Sequence, residues 1–139
     1  MNSKSSRHIV ILFVEDNPGD VRLIQEILQE ARVNHTLTVA EDGETALNML
    51  QKKGKFSGTE RPDLILLDLN LPKKRGLVVL QEIKKDAQLK SIPVVILTSS
   101  RDGDDILAGY GLNINAYVTK PVSNDQFLNA INGIVKILP

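Results

Sequence analysis

The chain contains no cysteine, which removes disulfides, Cys-rich zinc sites and thiol nucleophiles together and is compatible with a reducing cytoplasm. It also lacks net charge, because 17 basic residues balance 17 acidic ones. A broad positive surface for nucleic acid is therefore not expected. No apolar run approaches the roughly 18 residues that a membrane span needs. The segment Met1 to Arg7 is polar and has no apolar core of the kind a secretory signal carries. Internal repeats and low-complexity segments are absent as well. At 139 residues the length suits one domain with a sizeable core, expected over 8–139 behind a flexible tail at 1–7.

What is present is an alternation of short apolar runs with longer stretches of helical period, the pattern of a parallel sheet covered by helices on both faces. Ile9 to Val14, Leu64 to Leu67 and Val94 to Leu97 are nearly continuous in Val, Ile and Leu, as strands buried on both sides should be. Thr36 to Ala40 alternates polar with apolar, and Ile114 to Val118 is interrupted by Asn115. Both suit sheet edges. Val21, Ile24, Ile27, Leu28 and Ala31 recur at helical spacing, as do Phe127, Leu128, Ile131, Ile134 and Val135, marking the sheet-facing stripes of the first and last helices.

Asn17-Pro18, Asp42 and Ser123 read as helix starts, and Gly54 to Pro62 as a surface loop before the third strand. Five such strand-helix units with the second and fifth strands outermost predict an α/β fold. It is a flavodoxin-like, doubly wound (βα)5 sandwich with a parallel five-stranded sheet in the order 2-1-3-4-5. In open sheets of this kind ligands bind beyond the carboxyl ends of the strands.

Those ends carry chemistry. Glu15 and Asp16 end the first strand, Asp68 the third and Thr98 the fourth, and Lys120 follows the fifth. Like charges about 4 Å apart repel by roughly 4 kcal/mol at an effective dielectric near 20, so three carboxylates in one crevice call for a positive partner. Lys120 is one, and a divalent cation is another. An oxygen-only donor set points to Mg²⁺. A carboxylate at such a mouth can act as a covalent nucleophile toward phosphorus. Asp68 could instead cap the third helix, Thr98 could satisfy its own hydroxyl on backbone, and Lys120-Pro121 could simply end a strand. The placement of these residues at four strand ends, in chain order, is what makes them a constellation.

In Val14-Glu15-Asp16, Leu67-Asp68-Leu69-Asn70-Leu71-Pro72 with Gly76, Leu97-Thr98-Ser99 and Tyr117-Val118-Thr119-Lys120-Pro121, the sequence resembles the response-regulator receiver family from Ile9 to about Leu138. The resemblance implies phosphorylation of Asp68 by a sensor histidine kinase or a phosphotransfer protein. It implies Mg²⁺ bound by Asp16 and Asp68, with the Asn70 backbone carbonyl and with Glu15 acting through water. Lys120 and Thr98 would contact phosphoryl oxygens, and Tyr117 would follow Thr98 inward as a switch. Lys120-Pro121 matches a place where the family commonly has a cis peptide. Asn70 and Ser100 match positions that modulate dephosphorylation. Glu15 stands where Asp is frequent and Leu71 where Met is frequent; neither change removes a required group. The wording Leu69 to Lys74 and the longer loop before the third strand resemble single-domain regulators that serve phytochrome-type kinases.

The segment Asp102 to Leu112, weakened by Gly103, Gly109 and Gly111, is expected to form a fourth helix. With the fifth strand and fifth helix it would make the output face, for an unknown downstream protein or for a homodimer. The chain ends directly after the last helix, so output is expected to pass through another protein or a second copy. His8 and His35 fall outside all these motifs, and Lys73-Lys74-Arg75 reads as a solvated run or a kinase-docking patch. Two other readings share the residues: a Mg²⁺-dependent phosphatase or phosphotransferase with an Asp nucleophile, and a receiver-like binding module independent of phosphorylation. The first usually has a second carboxylate two residues after the nucleophile, where this chain has Asn70. Dinucleotide binding is disfavoured, because Gly109-Tyr110-Gly111 follows no strand and lacks a third glycine.

Overall fold

In a computed structural model the structure describes residues 7–69, 71, 75–98 and 116–138. Five strands, β1 (Ile9–Val14), β2 (His35–Ala40), β3 (Leu64–Asp68), β4 (Val94–Thr98) and β5 (Ala116–Thr119), form one sheet in the order β2-β1-β3-β4-β5. Every neighbouring pair is parallel. Four α-helices are described, α1 (Pro18–Glu30), α2 (Gly43–Leu50), α3 (Gly76–Lys85) and α4 (Asn124–Val135), with a 3-10 turn at Gly54–Phe56. The helix expected over 102–112 lies outside the described residues, so α4 is the fifth helix of the sequence reading.

Side chains alternate across a strand, and the core divides accordingly. Leu12, Val14, Ile65, Leu67, Val94 and Ile96 meet α2 and α3 through Ala46, Leu47, Leu50, Val79, Leu80 and Ile83. Their neighbours Ile11, Phe13, Leu64, Leu66, Val95, Leu97 and Val118 meet α1 and α4 through Ile24, Ile27, Leu28, Phe127, Ile131 and Ile134. Because β1, β3 and β4 feed both layers, each is buried along its whole length, whereas β2 is mostly half-exposed.

Several boundaries differ from the sequence reading: β2 begins at His35 rather than Thr36, and β5 runs Ala116–Thr119. Ala31, placed in the α1 stripe by spacing, is exposed, because the helix ends at Glu30 and Ala31 is its C-cap. The stretch read as loop contains the 3-10 turn, which begins at Gly54 with φ of +54°, a conformation that favours glycine. Asp68 closes β3 as the sequence reading placed it, paired with Leu97 in the β3–β4 ladder. It does not cap α3, whose N-cap position is Arg75 and carries no side-chain cap bond. The other caps stand where the sequence put them. The Asn17 side chain accepts from the Gly19 and Asp20 amides, that of Asp42 from Thr45, and that of Ser123 from Gln126.

Candidate functional site at the carboxyl ends of the strands

The register sets the site. Val14 pairs with both Ala40 and Leu67, Asp68 with Leu97, and Thr98 with Thr119, so the chain leaves β1, β3, β4 and β5 at nearly the same level. Glu15 is fixed there by its amide, which donates to the Ala40 carbonyl at 2.9 Å, and Lys120 by its amide, which donates to the Thr98 carbonyl at 2.8 Å. The Lys120–Pro121 peptide is cis.

The Lys120 ammonium is the hub. It donates to Glu15 Oε1 at 2.7 Å, Asp20 Oδ2 at 2.9 Å and Asp68 Oδ2 at 3.1 Å. Glu15 and Asp68 are buried and Asp16 is exposed. Burial is affordable for the first two because each faces the lysine. Thr98 is fully buried at the end of β4. Tyr117 is half-buried against the α2–α3 layer, the layer toward which alternation also directs Thr98. Asn70, Ser100 and the segment 102–112 lie outside the described residues, as do Lys73 and Lys74; Arg75 is exposed. His8, also exposed, hydrogen-bonds Asn34 and Thr36, and His35 opens β2.

Asp20 is the site residue that the sequence did not reveal. It lies in the first turn of α1, where an acidic side chain is explained by the positive helix end alone, and 100 residues separate it from Lys120. Its only sequence signal is its place four residues beyond the Glu15-Asp16 pair.

Burial and a hydrogen bond shared with Asp68 push the Glu15 carboxyl up to about 7, although Lys120 pulls the other way. Burial alone would lower the Lys120 ammonium, but its bonds to Glu15 and Asp20 and the Asp68 charge outweigh that and hold it well above its ordinary value. Lys120 therefore stays charged throughout the physiological range.

Carboxylate oxygens of Glu15, Asp16 and Asp68 all lie within 4.8 Å of one another. Three hard oxygen donors at that spacing fit a hard divalent cation that keeps part of its water shell. Binding needs the ionised carboxylate, so affinity should climb with pH by up to about tenfold per unit below 7 and flatten above it. Without metal the sign reverses. The folded state holds a proton on Glu15 between 4.5 and about 7 that the unfolded chain has lost, so stability should fall as pH rises through that window. Mn²⁺ titration followed by electron paramagnetic resonance, with melting curves of the metal-free protein across the same pH range, checks both signs. A pH-independent affinity would contradict this view of Glu15.

Residues 11–132 match the response regulator receiver domain. The chain belongs to that family. Receivers are signalling proteins of two-component systems, taking phosphoryl groups from histidine kinases or phosphotransfer proteins, and are not turnover enzymes. This receiver is 46% identical to response regulator Rcp1 of Synechocystis over 134 residues, covering 96% of this chain and 91% of that protein. The solved structure of the Mn²⁺-bound form of Rcp1 superposes with a TM-score of 0.79 at 44% identity, covering 94% of this chain and 99% of that one. That of the phosphorylated cyanobacterial phytochrome response regulator RcpA gives a TM-score of 0.80 at 46% identity, with 95% and 94% covered. Among the described residues, no helix of this receiver is long and apolar enough to cross a membrane.

Proposed function

We propose that this receiver accepts a phosphoryl group on Asp68 from a histidine kinase or phosphotransfer protein of a phytochrome-type pathway, with Mg²⁺ as the cation, and signals by protein–protein contact. The observation that carries this reading is the buried Asp68 carboxylate with a permanently charged Lys120 3.1 Å away beside a three-carboxylate cluster. The likeness to regulators named for phytochromes supports the pathway.

Asp68 and Asp16 would hold the cation directly, with the Asn70 carbonyl, and Glu15 would hold it through water. When bound, Mg²⁺ supplies positive charge to oxygens of the transferring group. The chain's own residues do the rest. An Asp68 oxygen attacks phosphorus, an oxygen–phosphorus bond forms as the phosphohistidine nitrogen–phosphorus bond breaks, and the departing imidazole keeps the bond's electron pair. The attacking group is already an anion, so no general base is required. Lys120 neutralises the equatorial oxygens, and the Thr98 hydroxyl donates to one of them. As Thr98 turns toward the phosphoryl group, Tyr117 follows inward, and β5 and α4 present the change to a partner protein or a second copy.

The test is incubation with a phosphodonor and Mg²⁺, then peptide mass spectrometry. One phosphoryl group should appear on Asp68 and disappear in Asp68→Asn. Label elsewhere, or none in the wild type, would end this reading.

A further inference from the structure

An ammonium has three N–H donors, and Lys120 commits one to each of three carboxylates. If Asp68 is the phosphoacceptor, as read above, a phosphoryl group brings a charge of roughly −1.5 to −2 and oxygens of its own to that side chain. The Asp68 oxygen that takes the phosphoryl group gives up its negative charge, so the Lys120 donor now aimed at Asp68 can pass to a phosphoryl oxygen. A second donor becomes available only if Lys120 releases Glu15 or Asp20. These two are not equally easy to release. The Glu15 side chain is 1% exposed, whereas that of Asp20 is 32% exposed. A carboxylate returned to water loses little, while a buried one that loses its counter-charge incurs a desolvation cost.

Asp20 is also held in position. The Asn17 side chain caps α1 through the Gly19 amide at 2.8 Å and the Asp20 amide at 3.1 Å, fixing the turn that carries the carboxylate. That carboxylate meets Lys120 from α1 and is not one of the three, Glu15, Asp16 and Asp68, whose oxygens lie within 4.8 Å of one another.

We propose that Asp20 is a positioning residue: it holds the Lys120 ammonium toward α1 while Asp68 is unmodified, and it is the carboxylate Lys120 releases to turn a second donor to an arriving phosphoryl group. Its charge thus favours the unmodified state twice over, by occupying the lysine and by repelling the incoming anion. Removing that charge should make the phosphorylated state easier to reach, although an ion pair is lost.

Isothermal titration with beryllofluoride, a tetrahedral phosphoryl analogue, at saturating Mg²⁺ separates this role from any effect on metal affinity. Asp20→Asn, which keeps the side-chain shape at the start of α1, should bind the analogue about three- to tenfold more tightly than wild type, and the gain should shrink with added salt. Asp20→Ser, a second uncharged variant, should behave alike. Asp20→Glu keeps the charge and should stay within about twofold of wild type. A merely structural role predicts weaker binding in all three. Unchanged or weaker binding in both uncharged variants, or equal tightening in Asp20→Glu, would overturn the assignment of Asp20 alone. A wild-type chain that binds no beryllofluoride overturns the phosphoacceptor reading with it.

Discussion

Lys120→Met should slow phosphoryl acceptance by about a hundredfold to a thousandfold, the range found when one preorganised donor to a developing anion is removed, while tightening divalent-cation binding. The two effects have opposite signs for one reason. Lys120 is the cation shared by Glu15, Asp20 and Asp68. Without it the equatorial oxygens lose a counter-charge, and the carboxylates lose the competitor that occupies their lone pairs. A gain of about tenfold in Mn²⁺ affinity corresponds to about 1.4 kcal/mol, a modest fraction of the repulsion relieved. Phosphorylation kinetics and a Mn²⁺ titration on the same preparation read both quantities. Loss of metal binding together with phosphorylation would mean that Lys120 holds the site's shape rather than its charge.

Gly76→Ala should destabilise the protein by about 1–3 kcal/mol and slow phosphorylation by about a hundredfold, the penalty for roughly 1 Å of misplacement. A Cβ at position 76 would overlap the Asp68 carbonyl oxygen and stand 2.6 Å from Leu69 Cα. All the neighbours are backbone, so no side chain can swing aside. The Gly76 amide donates to the Leu69 carbonyl at 3.2 Å and the Leu69 amide to the Leu97 carbonyl at 3.2 Å. The start of α3 is thereby laced to the end of β3, and displacing it moves the nucleophile. Urea denaturation and phosphorylation rate measure the two effects. Wild-type stability with wild-type kinetics would show that the segment yields without moving Asp68.

Much of this arrangement was legible in the sequence because local rules and global fold agree. Continuous apolar runs marked β1, β3 and β4, since strands covered on both faces have no polar side. The caps at Asn17, Asp42 and Ser123 were readable because each cap is a local contact over two or three residues. Helical spacing misplaced Ala31, because the apolar period continues past the point at which the backbone leaves the helix. The fifth strand extends one residue beyond Val118 to Thr119, where pairing with Thr98 rather than local propensity decides the strand end. Gly54 to Pro62 read as loop because a single 3-10 turn has no periodicity to detect.

From the chain of letters alone came the layer architecture, the strand order and the gathering of Glu15, Asp16, Asp68, Thr98 and Lys120 at one edge of the sheet. Apolar period and strand-end position suffice for these, being properties of neighbouring residues. Only the folded molecule decided that Asp20 joins them, that Glu15 bonds the lysine directly and holds its proton to about 7, and that Gly76 must be bare beside the Asp68 carbonyl. Each depends on distance and burial between segments far apart in sequence, and no local pattern encodes how closely two such segments approach.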